Sequence, residues 1–170
     1  MNVGSNLQIT YYCESQLKLA ATVMEENSSW HLDSTGSVVS KWKNKQIYCY
    51  ALVLKTSFKG EHAVPLLEWL ANCHDTKSIC KALYTWWIDS KEIIKTPEIV
   101  VIDFSWAFLH ALSHVFNNNN LDEQLEAQWQ IMTGQINKKI TVVRLCVSHY
   151  IKAVVRSMSK KRVPKLVSYN

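Results

Sequence analysis

Two aspartates each close an apolar run: Asp33 follows Trp30-His31-Leu32, and Asp103 follows Ile99-Val100-Val101-Ile102. Singly, an acid at a strand end suits a turn or a helix cap. As a pair they suit metal chemistry, because two carboxylates brought together repel unless they share a proton or a cation. Mg2+ or Mn2+ is the expected cation, a hard ion that binds oxygen and keeps positions for water and phosphate. Two such ions can activate a water or a 3′-hydroxyl and stabilise the leaving oxygen of a phosphodiester.

Other candidates carry less. Cys146 and His149 form a Cys-x-x-His element. Thiolate and imidazole are zinc ligands, but a closed zinc site needs four and only two stand at suitable spacing. They read as a structural motif, either a partial zinc site or a buried thiol beside a hydrogen-bonded histidine. His110 and His114 share a helix face without the Glu of a zinc peptidase and read as solvent-facing. Cys73, His74 and Cys80 have poor zinc-finger spacing. Lys152, Arg156 and Lys160 recur every four residues, a basic stripe opposite Ile151, Val155 and Met158 that Arg162 and Lys165 extend. Such a stripe suits backbone phosphates. No phosphate-cradling glycine loop and no Gly-x-Ser-x-Gly elbow occurs.

The elements that must hold these residues follow from periodicity. Trp30 to Leu32 and Val38-Val39, around a turn at Gly36, predict two strands, and Gln46 to Lys55 predicts a third. After Phe58-Lys59-Gly60 a helical period sets in, with Pro65 in a first turn. Asp75 or Thr76 caps a helix with Ile79, Ala82, Leu83, Trp86 and Trp87 on one buried stripe, the tryptophans packing in the core. Ile99 to Ile102 predicts a strand covered on both faces. Phe108, Ala111, Leu112 and Val115 predict the next helix, which Asn117–Asn120 ends. Leu121 to Met132 predicts a helix, Ile140 to Cys146 a strand, and Ile151 to Met158 a last amphipathic helix.

Hairpin strands followed by β-α alternation imply an α/β fold, a mixed sheet with helices on its faces. The ribonuclease H-like fold has this order, and there the first and fourth strands are neighbours. Residues 31 to 39 (HLDSTGSVV), 100 to 107 (VVIDFSWA) and 145 to 154 (LCVSHYIKAV) resemble DDE-type transposases of the Mutator-like kind over about residues 30–158. The resemblance implies that Asp33 and Asp103 are the first two catalytic, metal-holding acids, with Mg2+ or Mn2+ as cofactor and DNA as partner, and that Cys146 and His149 are the Cys-x-x-His element. The family's third acid follows that element, whereas this chain has no Asp or Glu after Glu126. Asp122, Glu123 and Glu126 precede it, so the triad is incomplete and in-line transfer loses positioning and charge balance. The expectation is a truncated or domesticated derivative, or one fragment of a split gene product. The alternative is a non-catalytic nucleic-acid-binding or interaction protein from the same ancestry.

Composition agrees with one core: 170 residues, 48% hydrophobic. The expected divisions are an N-terminal extension over 1–27, the partial transposase domain over 28–158 and a basic tail over 159–170. Net charge is +5, and the last 44 residues hold nine Lys or Arg with no acid, which suits either a polyanion-binding end or a solvated basic tail. No apolar run predicts a membrane span. Five scattered cysteines and an N-terminus without an apolar leader predict free thiols and a nuclear or cytoplasmic protein. A second copy or a full-length transposase is the expected protein partner.

Overall fold

The computed structural model describes residues 6–24, 29–36, 38–56 and 63–160, with all their side chains except those of Ala153, Ser159 and Lys160. Among these are β1 (Gln8–Tyr11), α1 (Glu14–Val23), β2 (Ser29–Gly36), β3 (Tyr48–Lys55), β4 (Ala63–Ala71), α2 (Thr76–Ser90), β5 (Ile99–Ile102), α3 (Trp106–Asn117), α4 (Leu121–Met132), β6 (Val142–Leu145) and α5 (Val147–Lys160). The strands form one open mixed sheet in the order β1-β4-β3-β2-β5-β6. β2, β5 and β6 run parallel, and the remaining neighbours are antiparallel. The fold is α/β.

Alternation decides the two faces of the sheet. Trp30 and Leu32 of β2, Tyr50, Leu52 and Leu54 of β3, and Val100 and Ile102 of β5 point one way, into a single core with the buried residues of α1, α2 and α3. Trp30 anchors it, in edge contact with Trp86 at 5.8 Å, Trp87 at 6.5 Å and Phe116 at 5.8 Å. His31, Asp33, Val53 and Val101 point the other way.

The meander is built from different segments than expected. Val38 and Val39 lie in an exposed bend rather than a strand, and Gly36 is the last residue of β2. The third hairpin strand is β4, where a helix is expected around Pro65. Two features of β4 produce that correction. Its register against β3 skips Leu66, since Leu52 faces Leu67 but Val53 faces Pro65. This bulge buries Leu66 and Leu67 in succession, and Ala63, Leu66, Leu67 and Leu70 then acquire the i, i+3, i+4, i+7 spacing of a helix. Pro65 is tolerated because β1 pairs only with residues 68–71, so on that side no ladder bond requires its missing N–H. Within the segment expected as an extension, β1 joins the sheet, and Leu17, Ala20 and Val23 of α1 enter the core. The 58–60 loop lies outside the described residues.

The helices start and stop as their caps require. The Asp75 side chain accepts from the Ser78 N–H at 2.8 Å, and the Ser105 hydroxyl accepts from the Phe108 N–H. Asn118 closes α3 in a left-handed conformation, and Asn120 opens α4 through a capping box with Glu123. The outer edge of β6 is covered by side-chain amides: the Thr141 N–H donates to Asn117 Oδ1 (2.9 Å) and the Val143 N–H to Gln128 Oε1 (2.7 Å).

Candidate functional site

Parallel pairing of β2 with β5 brings the two aspartates together. Leu32 pairs with Ile102, so Asp33 and Asp103 are the next residues on strands roughly 4.8 Å apart. The β5–β6 register ends at Ile102–Leu145, which puts Cys146 beside Asp103. A cavity of about 360 Å³ opens there, lined by Asp33, Asp103, His31, Lys55, Cys146 and His149 among others. It sits at the carboxyl ends of β5 and β6, where open α/β sheets bind ligands. A larger hollow of about 730 Å³ lies at the opposite strand ends, near Pro97, Glu98 and Thr141, and contains neither aspartate.

The two carboxylates differ in setting. Asp33 is exposed, and its Oδ1 accepts from the Ser34 N–H at 2.8 Å. Asp103 is half-buried, and its Oδ1 is buried without a hydrogen-bond partner. Burial, then the charge of Asp33, pushes the Asp103 carboxyl above the usual carboxylate range, against a smaller opposing effect of the neighbouring His149 and His74. An orphaned oxygen beside a second carboxylate has the donor chemistry of a divalent-cation ligand. Burial and the nearby Lys55 hold His31 below the ordinary imidazole value.

Cys146 and His149 join the aspartates on this cavity. A hydrogen bond from the Ser148 hydroxyl (Sγ to Oγ 3.0 Å) and the backbone N–H groups of His149 and Ser148 bring the Cys146 thiol down to about 7 against the opposing effect of burial. Among the described residues, no three or more His, Cys, Asp or Glu side chains gather as a metal-holding group.

The remaining candidates stand apart. Asp122, Glu123 and Glu126 are exposed on α4 and do not line the cavity. His110 and His114 are exposed on α3. Lys152 and Arg156 are exposed on α5, with Lys160 at its end, while Arg162 and Lys165 lie outside the described residues. All five cysteines are free thiols, and no described helix is long and apolar enough to cross a membrane.

Two neighbours of the site were not legible in the sequence. Glu68 shares the face of Asp33 through the register Asp33–Ala51–Glu68, but two strand spacings, roughly 10 Å, separate their backbones. Reading residues 63–71 as a helix hides it. The second is a polar chain near Asp103: the Tyr50 hydroxyl lies 2.9 Å from His74 Nδ1, and His74 Nε2 lies 3.3 Å from Ser105 Oγ. In the sequence His74 stands out only within the poorly spaced Cys73-His74-Cys80 set, and Ser105, two residues after Asp103, only as a cap. Set against family models, curated proteins and solved structures, the chain matches none.

Proposed function

We propose that this chain is a transposase-derived domain of the ribonuclease H-like, Mutator-like kind, in which Asp33 and Asp103 hold Mg2+ or Mn2+ near DNA, and that it is catalytically incomplete. The observation that carries this reading is the Asp103 Oδ1, buried, unpartnered and beside Asp33 at the tips of adjoining parallel strands. The sheet order supports it as well, three antiparallel strands continued by two parallel ones on the β2 side. The ion, when bound, would polarise a phosphodiester and activate its attacking oxygen. Asp33 and Asp103 would orient it, and Lys55 on the cavity wall would favour an anionic substrate. Among the described residues, Asp33 and Asp103 are the acids that line the cavity, and in-line transfer needs more positioning than two carboxylates supply.

Thermal unfolding tests the reading. Millimolar Mg2+ or Mn2+ raises the melting temperature of the protein, and combining Asp33→Asn with Asp103→Asn removes the rise. If the double variant responds to metal like the parent, these residues do not form the metal site.

A second reading, a non-catalytic nucleic-acid-binding protein of the same ancestry, is favoured by α5, which carries Lys152, Arg156 and Lys160 and no acid. It requires salt-sensitive DNA binding that survives loss of both aspartates but fails when those three cations are neutralised.

A further inference from the structure

The connection from β2 to β3 carries charge at the end of the sheet where the aspartates sit. Residues 34–60 hold five lysines and no acid, and three of the five, Lys41, Lys43 and Lys45, alternate through one short hairpin. All three are exposed. β2 runs past Asp33 to Gly36 before this connection begins, so the hairpin base lies roughly 10 Å beyond the carboxylate along the strand.

Backbone geometry holds the hairpin in one shape. Trp42 and Lys45 exchange both main-chain bonds, at 3.0 and 2.9 Å, across a two-residue loop. Lys43 (φ 47°) and Asn44 (φ 62°) are both left-handed, the combination that a type I′ turn requires. The base is fixed to the sheet: Ile47 is 2% exposed, and the Gln46 side chain fills the space over Gly36 where a Cβ would stand.

The left-handed lysine is the informative residue. Asparagine tolerates that backbone and glycine adopts it freely, whereas the Cβ of a lysine is crowded there by the following carbonyl. Lys43 is exposed, with its ammonium 4.6 Å from the centre of the Trp42 ring. Strain kept at an exposed tip points to a use for the side chain rather than for the fold. Lysine carries a compact charge and donates without accepting, so it recognises phosphate oxygens and reads no base sequence. At about 3.4 Å per nucleotide of one strand, the distance from Asp33 to the hairpin base is the reach of about three nucleotides. Strand order puts the hairpin on the β3–β2 side of the carboxylates and α5, with its own cations, on the β6 side.

We infer that the hairpin of residues 41–46 grips the phosphate backbone of DNA where it passes over the Asp33–Asp103 cavity, with Lys41, Lys43 and Lys45 as the contacts. This rests on the reading of DNA as the partner and is independent of metal binding at the two aspartates.

Fluorescence anisotropy of a fluorescein-labelled DNA duplex of arbitrary sequence, titrated with the full chain in EDTA over a salt series, tests the contact. Combining Lys41→Gln, Lys43→Gln and Lys45→Gln lowers affinity at low salt by about 10-fold or more and reduces the slope of log affinity against log salt by about 2–3, close to one unit per lost phosphate contact. A matched variant, Lys91→Gln with Lys95→Gln and Lys139→Gln at the opposite strand ends, changes the net charge equally and binds like the parent. Lys43→Gly separates binding from folding: it relieves the turn, so the melting temperature holds or rises while the salt slope falls by about one. A parent that does not bind the duplex overturns the hairpin contact and the DNA reading together. A hairpin variant that binds like the parent, or a loss equalled by the matched variant, overturns the hairpin contact alone. So does tighter binding to vesicles of phosphatidylserine and phosphatidylcholine than to the duplex, which would make the ligand a membrane surface.

Discussion

Asp103 differs from an ordinary surface aspartate through burial first and the neighbouring Asp33 charge second. Both favour its protonated form in the folded state. The associated stability is therefore fully present below the ordinary carboxylate range and lost as pH rises through the raised value. In metal-free buffer, Asp103→Asn is expected to melt above the parent at neutral pH, with the gap closing as pH falls toward 4 and below. Parallel melting curves across that range check the sign. A variant less stable than the parent at neutral pH would mean that the charged carboxylate has a partner there. Cys146 is displaced the other way, to about 7, because the Ser148 hydroxyl and two backbone N–H groups stabilise its thiolate. Neither displacement follows from residue type, since it depends on what the backbone brings alongside.

The elements show the difference between local and nonlocal control. α2, α3, α4 and β5 fall where periodicity and capping residues place them, because a cap and an apolar stripe act within a few residues of chain. β4 does not, because its bulge imitates helical spacing and its strand character is fixed by pairing with β1 and β3. The edge of β6 is a further nonlocal case. Asn117 accepts from the Thr141 N–H and donates to the Thr141 carbonyl and to Gln124, while Gln124 donates to the same carbonyl and to Gln128. Thr141 and Gln124 are each 1% exposed, so cutting Asn117 out strands buried polar groups. Asn117→Ala is expected to cost about 2–4 kcal/mol in urea unfolding, where an exposed turn asparagine would cost almost nothing.

In the whole molecule, one core carries the sheet and the α1–α3 layer, and Trp30 joins them. It is fully buried on β2 and meets Trp86 and Trp87 of α2 and Phe116 of α3. Trp30→Ala is expected to lower stability by about 3–5 kcal/mol, read as a shifted urea midpoint. Because β2 also carries Asp33, the same variant should blunt any metal-dependent rise in melting temperature.

Taken alone, the sequence determined an α/β chain with its main helices, the apolar strands ending in Asp33 and Asp103, and a terminal helix of separated basic and apolar sides. These are properties of short windows, where propensity, capping and periodicity act without the rest of the chain. Only the tertiary structure decided which strands are neighbours, and with that the meeting of Asp33 and Asp103, the arrival of Cys146 and His149 on their cavity and the entry of β1 and β4 into the sheet. Strand order and register are set by hydrogen bonds and packing between residues far apart in sequence, which no local pattern encodes.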